Sequence, residues 1–180
     1  MLGRNLVFIL IKSLTSTTAK ELIHKETHKL EKNMTNELIL RLIVAALLGG
    51  LIGLEREYRE KAAGFRTNFL VALGAALFMI ISVHGFEGAL VSENHRLDVA
   101  RVAAQVVSGI GFIGAGAIIF QKNTIKGLTT AACVWVTAAI GLACGAGLYS
   151  LAIVATLLVL LGLEAFNFFL KKIREKEREL

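Results

Sequence analysis

Two apolar runs joined by a short charged segment determine the architecture: LILRLIVAALLGGLIGL (38–54) and TNFLVALGAALFMIISVH (67–84), with EREYREKAAGFR (55–66) between them. An α-helix needs roughly 20 apolar residues to cross the hydrocarbon core of a bilayer, which is about 30 Å thick. In that core every backbone N–H and C=O must be paired within the protein, so such runs form helices. The sequence therefore predicts a membrane protein, in which polar residues inside the runs are candidate sites.

Three further apolar runs follow the first two. We predict an all-α polytopic membrane protein with five transmembrane helices: Leu38–Leu54, Thr67–His84, Val99–Phe120, Leu128–Cys144 and Leu148–Leu170. The chain is 55% hydrophobic with a mean hydropathy of +0.65, which is more apolar than an ordinary soluble domain. Only Gly145-Ala146-Gly147 separates the last two runs, so we expect them to form a tight antiparallel helical hairpin.

The distribution of basic residues predicts the orientation in the membrane. Lys and Arg collect in cytoplasmic loops, and this explains the net charge of +6 without a nucleic-acid partner. The first loop, the third loop and the C-terminal tail are basic, whereas the second loop is mainly acidic and the fourth carries no charge. We therefore expect the N-terminus outside and the C-terminus in the cytoplasm.

The N-terminal segment conflicts with that orientation. Residues 1–33 contain basic residues that favour the cytoplasmic side, and their apolar run, Leu6–Ile11, is too short to cross a bilayer. We expect either that translation begins at Met34 or that residues 1–33 are a poorly ordered amphipathic extension. The remaining chain is then a membrane domain, residues 34–170, and a basic cytoplasmic tail, residues 171–180.

Small residues recur at helical spacing in several runs. Gly109–Gly114 matches the GxGxxG pattern of dinucleotide binding, but it lies within an apolar run instead of a strand–turn–helix unit. Small residues instead allow close approach of membrane helices. The positions predicted to pack helices together are Gly49, Gly53, Ala104, Ser108, Gly111, Ala115, Gly141 and Gly145.

Polar residues at the ends of the runs have two interpretations each. The joint containing Glu55, Arg56 and Arg66 is either a solvated turn or a docking or ion-entry surface. Arg101 and Gln105 lie one turn apart at the start of the third run, where Arg101 could pair with Asp98, three residues before it, or extend to the interface. Glu164 lies about 9 Å inside the last run at 1.5 Å per residue, and it either handles protons or cations or extends back to the interface.

Residue patterns typical of enzymes are not found in the sequence. No nucleophile–base pair or metal-ligand constellation can be assembled. His24 and His28 lack the HExxH arrangement, and Cys133 and Cys144 are expected to be packing residues. We therefore predict a protein that is not an enzyme, with no catalytic residues, metal site or cofactor.

Four sequence blocks resemble the MgtC/SapB family of bacterial inner-membrane proteins. In the family's order they are GGLIGLERE (49–57), AGFRTNFLVALGA (63–75), AAQVVSGIGFIGAGAI (103–118) and KGLTTAACVWVTAAIGLACGAG (126–147). The resemblance assigns these residues to the family's polar motif positions: Glu55, Arg56, Arg66, Thr67, Arg101, Gln105, Ser108, Thr129 and Thr130. Glu164 and residues 1–33 lie outside the pattern.

The resemblance implies a location in the bacterial inner membrane and a link to magnesium limitation. For MgtC itself, it implies regulation of the membrane sector of the F-type ATP synthase. MgtC carries a soluble domain after its last span, and this chain is expected to lack it. We therefore expect a non-enzymatic regulator, embedded in the lipid bilayer as a homo-oligomer, that acts through helix contacts. The alternative is a subunit of a transporter or channel for Mg²⁺ or another cation, with Arg101, Gln105, Ser108 and Glu164 near its path.

Overall fold

The computed structural model describes residues 17–85, 99–121 and 124–178. Within these ranges the elements are α1 (Thr17–Tyr58), α2 (Phe65–His84), α3 (Val99–Gly116), β1 (Ile119–Gln121), β2 (Thr124–Lys126), α4 (Leu128–Gly145) and α5 (Tyr149–Arg178). The predicted all-α class is confirmed, with one short β-hairpin added to it.

Three of the helices described are long and apolar enough to cross a membrane. They are the part of α1 from His24 to Tyr58, all of α2 and all of α4. The apolar parts of α3 and α5, Arg101–Gly116 and Tyr149–Glu164, are shorter. The structure thus agrees with a polytopic membrane protein, and the crossing of the bilayer by all five helices stays a prediction.

The chain divides into two compact units, one ending at Ile39 and one beginning at Leu40. The described part of the first unit is helical from Thr17 onward. Side chains 24–36 are exposed, and the hydroxyl of Thr27 donates to the carbonyl oxygen of His24 at 2.9 Å. The alternatives for residues 1–33, a start at Met34 or a poorly ordered extension, stay predictions.

In the second unit, α4 is the central helix and packs against α2, α3 and α5. Its core-facing residues are mainly small, so neighbouring helices approach closely and bury little bulky side-chain volume. One buried cluster contains Ala45, Ile52, Ala76, Cys133, Ile140, Cys144 and Ala152. A second contains Ala63, Ala75, Ile110, Val134 and Ala138.

The turn from α1 to α2 is fixed by the backbone and by one carboxylate. Lys61 N–H donates to Arg56 O at 3.0 Å, and Glu60 adopts a left-handed conformation with φ 55°. The Glu57 carboxylate accepts the N–H of Phe65 at 2.8 Å. A carboxylate there satisfies a free N–H and interacts favourably with the positive end of the α2 dipole.

The predicted third span is corrected at its C-terminal end. The sequence predicts helix to Phe120, whereas α3 ends at Gly116 and residues 119–121 pair antiparallel with residues 124–126. β-Branched and aromatic residues such as Ile119 and Phe120 favour a strand as readily as an apolar helix. Gly127 then turns the chain with φ 91°, and a Cβ there would lie 1.9 Å from the carbonyl oxygen of Ala117.

The turn from α4 to α5 is as short as the sequence predicts. Leu148 N–H donates to Ala143 O at 2.8 Å, and Gly147 has a positive φ of 79°. Arg41 of α1 donates from Nη1 to the carbonyl oxygen of Gly145 at 2.9 Å. A cation at the C-terminus of α4 is favourably placed, because the last carbonyl groups of a helix carry partial negative charge.

Candidate functional site

A buried guanidinium joins the C-terminus of α1 to the N-terminus of α4. Arg56 is only 4% exposed, and its Nη2 donates to the hydroxyl oxygen of Thr130 at 3.2 Å. Thr130 lies in the first turn of α4 and is itself buried. A charged group inside a membrane protein is costly without partners, so this contact fixes α1 against α4 and also positions a cation near their ends.

A second polar link, centred on Asn68, lies between α2 and α4. Asn68 is fully buried, and its amide nitrogen donates to Ala63 O at 2.8 Å and to Gly64 O at 3.0 Å. Its amide oxygen accepts a hydrogen bond from Thr137 at 3.0 Å. The sequence analysis missed Asn68 and Thr137, although a polar residue within an apolar run is a signal that could have identified each.

Two carboxylates at this end of the helices pair with Arg59. Glu55 forms an ion pair with Arg59 at 2.6 Å between Oε1 and Nε. The same arginine pairs with Glu164 of α5. The hydrogen bond that Arg59 donates to the Glu164 carboxylate, together with the nearby negative charges, raises the pKa of Arg59 above its ordinary value. Arg59 therefore stays cationic and connects α1 to α5; the sequence analysis did not single it out.

Glycines allow the helices that carry these residues to approach closely. A Cβ at Gly49 would lie 2.6 Å from Asn68 O, and one at Gly53 would lie 2.6 Å from the Cα of Phe65. On α4, a Cβ at Gly141 would lie 2.3 Å from Ala72 O, and one at Gly145 would lie 2.5 Å from Ala76 O. These contacts are with main-chain atoms, so even a methyl group would require the helices to move apart.

The small residues of α3 are placed differently. Ala104, Ser108, Gly111 and Ala115 are exposed in the single chain. A Cβ at Gly111 would have no heavy atom within 4 Å outside its own helix. We call these four residues the small-residue face of α3. No other part of the described chain packs against Gly111, and the predicted role of this face in helix packing stays a prediction.

The remaining predicted residues fall into two places. Arg66, Thr67 and Thr129 lie in the first turns of α2 and α4, where Arg66 and Thr129 are exposed and Thr67 is half-buried. Arg101 and Gln105 instead line a groove between α2 and α3. The predicted pair between Asp98 and Arg101 includes a residue outside the described ranges.

The polar cluster at the Arg56 end therefore links four helices. Arg56–Thr130 joins α1 to α4, Asn68–Thr137 joins α2 to α4, and Arg59–Glu164 joins α1 to α5. Among the residues described, no group of three or more His, Cys, Asp and Glu side chains is arranged to hold a metal ion. The contacts present are those of a hydrogen-bonded network that holds helices together.

The fold and the sequence together assign the chain to a family of membrane proteins. The sequence profile of the MgtC family matches residues 42–172, so the chain belongs to the MgtC family. It is 50% identical to YhiD of Escherichia coli K12 over 147 residues, which is 82% of this chain and 68% of YhiD.

Two further relatives show how far the similarity extends. The chain is 49% identical to the uncharacterized protein slr0014 of Synechocystis over 125 residues, 69% of this chain and 50% of that protein. It is 53% identical to MgtC of Brucella abortus over 116 residues, 64% of this chain and 45% of MgtC. The chain thus spans about half the length of these two relatives. No solved structure matches the chain.

Proposed function

We propose that this chain is a non-enzymatic membrane protein of Mg²⁺ homeostasis, which acts as a regulator through helix contacts with other membrane proteins. Membership of the MgtC family supports the magnesium link, as does the similarity to YhiD, which is provisionally described as a magnesium transporter. The proposed location is the bacterial inner membrane, with the N-terminus outside and the C-terminus in the cytoplasm.

The observation that carries this proposal is the small-residue face of α3. The other helix-packing glycines, Gly49, Gly53, Gly141 and Gly145, are already in contact with main-chain atoms of neighbouring helices. The α3 face is exposed instead. In a bilayer, small residues favour association because they let two backbones approach and gain van der Waals contact. This face therefore suits a helix from another molecule.

The polar cluster supports the same function. Glu55 and Glu164 are paired with Arg59, and Glu57 caps α2. The Glu57 carboxylate thus fixes the turn between α1 and α2, whereas the exposed Arg59–Glu164 pair adds little to stability. A rigid scaffold of this kind can present the α3 face in a defined orientation, since its helices are held by buried hydrogen bonds as well as by close packing.

The proposed partners are a second copy of the chain and the membrane sector of the F-type ATP synthase. The test uses Gly111→Leu, which adds a bulky side chain to the small-residue face where a Cβ has open space. The matched control is Gly162→Leu on α5, whose Cβ also has no neighbour within 4 Å. The two variants change helix propensity equally, so a difference between them reports on the α3 face.

Tagged versions would be purified from membranes of cells grown under Mg²⁺ limitation. Immunoblots would measure copurified ATP synthase membrane-sector subunits and a second, differently tagged copy. We expect Gly111→Leu to lose at least one of these associations and to lose growth under Mg²⁺ limitation, while Gly162→Leu keeps both. Equal behaviour of the two variants would contradict the proposal.

The alternative function, a transporter or channel subunit for Mg²⁺ or another cation, is favoured by the description given to YhiD. In that case Arg101, Gln105, Ser108 and Glu164 would lie near a path. The structure places Glu164 in a pair with Arg59, and Arg101 and Gln105 in a different part of the fold. Flux of Mg²⁺ through the purified protein distinguishes the two functions.

A further inference from the structure

A groove of about 720 Å³ lies between α2 and α3, with α4 at its base. Its size is within the range of roughly 300–1,000 Å³ that is usual for ligand sites. Its walls are almost entirely apolar. The groove is lined by Leu70 and Phe78 of α2, by Gly109 and Ile113 of α3, and by Ala138 of α4, among others.

The polar side chains of the groove are at one end. Arg101 and Gln105 lie in the first turns of α3, whereas the α3 residues farther along the groove are apolar. A guanidinium binds carboxylate and phosphate groups with paired hydrogen bonds, and an amide can donate another. The groove therefore suits a ligand with one anionic group and a long apolar remainder.

The length of the groove matches half of a bilayer. From Arg101 to Ile113 of α3 the rise is 12 steps of 1.5 Å each, or about 18 Å. One leaflet contributes half of a hydrocarbon core about 30 Å thick, or roughly 15 Å. An extended acyl chain of a membrane lipid spans this same distance, and its headgroup lies at the polar end.

We propose that this groove binds one acyl chain of an anionic phospholipid, with the headgroup phosphate held by Arg101 and Gln105. Basic residues between transmembrane helices bind lipid headgroups in this way. Burying Arg101 against a phosphate also offsets the cost of placing its charge close to hydrocarbon.

The lipid site is independent of the proposed regulatory contact. Successive residues of an α-helix are separated by 100°. Positions 101, 105, 109 and 113 and positions 104, 108, 111 and 115 therefore form two adjoining faces of α3, whose centres are about 110° apart. Gly109 and Gly111 lie about 160° apart around the helix, so a side chain added at one of them does not fill the site at the other. The two proposals can fail separately, because they depend on different substitutions.

The experiment uses the full chain in vesicles that contain a phosphatidylglycerol with a photoreactive group midway along one acyl chain. Gly109→Phe fills the groove where a Cβ has no neighbour within 4 Å, and Gly162→Phe is its matched control on α5. Arg101→Gln removes the cation, and Lys126→Gln on the exposed strand β2 is the matched control for charge. The thermal unfolding of each variant is measured alongside the labelling.

We expect labelling of α2 and α3 peptides in the wild-type chain and loss of this labelling in Gly109→Phe. In Arg101→Gln the labelling should fall by about tenfold or more, because a hydrogen bond to a charged group is lost. Both controls should be labelled like the wild type, and excess inorganic phosphate should not compete. If Arg101→Gln unfolds, the comparison of Gly109→Phe with Gly162→Phe is sufficient.

Three results would overturn the proposal. The first is unchanged labelling in Gly109→Phe. The second is loss of labelling on addition of inorganic phosphate, which would show an anion site without a lipid chain. The third is formation of disulfide dimers by Gly109→Cys in membranes, which would show that a second copy of the chain occupies the groove.

Discussion

Adding a single methyl group at Gly141 should destabilise the protein, although Ala is the better helix former. A Cβ at this position would lie 2.3 Å from Ala72 O and 2.9 Å from both Ala72 Cα and Ala75 Cβ. Ordinary contact begins at about 3.4 Å, so α2 and α4 would have to separate by about 1 Å. Overpacking of this kind costs about 1–3 kcal/mol, against a gain of about 0.5–1 kcal/mol from replacing Gly in a helix.

The net expectation for Gly141→Ala is a loss of about 0–2.5 kcal/mol, centred near about 1 kcal/mol, in the free energy of unfolding. Gly111→Ala is the matched control, because a Cβ there has no neighbour within 4 Å. It should leave stability unchanged or raise it slightly. Unfolding in detergent can be followed by the fluorescence of Trp135, the only tryptophan. Equal unfolding midpoints for the two variants would refute the close approach of α2 and α4.

Three further predictions concern the polar network and the orientation of the chain. A double-mutant cycle with Asn68→Ala and Thr137→Val should give a coupling energy of about 0.5–1 kcal/mol in unfolding measurements; a value of zero would exclude the hydrogen bond. Glu164→Gln should leave the unfolding midpoint and growth under Mg²⁺ limitation unchanged, because its pair with Arg59 is exposed; loss of growth would favour cation handling. Lys126→Cys should react with an impermeant thiol reagent in inverted vesicles but not in intact cells lacking an outer membrane, and the reverse pattern would invert the orientation.

Much of the fold could be predicted from hydropathy and loop length. The starts of α4 and α5 lie at or within one residue of the predicted Leu128 and Leu148, and α2 ends at the predicted His84. These positions follow glycines or lie next to changes from apolar to polar residues, so the local sequence determines them. The end of α3 could not be predicted in this way, because the apolar residues 117–120 are compatible with either a helix or a strand.

The contacts of the site could be predicted less well. Hydropathy identifies Arg56 and Thr130 as polar residues near helix ends, but their hydrogen bond depends on the rotation of α1 relative to α4. Asn68 and Thr137 are also set by tertiary packing, since they are 69 residues apart in sequence. The resemblance to the family identifies Arg56 and Thr130 as motif residues. Asn68, Thr137 and Arg59 are identified only by their contacts between the packed helices.

The small-residue face of α3 shows why a residue pattern alone does not settle a role. The same spacing of small residues occurs in α1, α4 and α3, and it predicts close packing in each. In α1 and α4 the neighbouring helix belongs to the same chain, and the glycines contact its backbone. In α3 the corresponding face is exposed. This difference is the basis for proposing an intermolecular contact there.

We propose that the protein regulates Mg²⁺ homeostasis through contacts within the membrane and does not itself carry the ion. The most direct test is Mg²⁺ flux into liposomes that contain the purified, folded chain, compared with empty liposomes under an imposed Mg²⁺ gradient. We expect no flux above that of empty liposomes. Flux that depends on the protein and is lost in Arg101→Ala would contradict this proposal and establish transport.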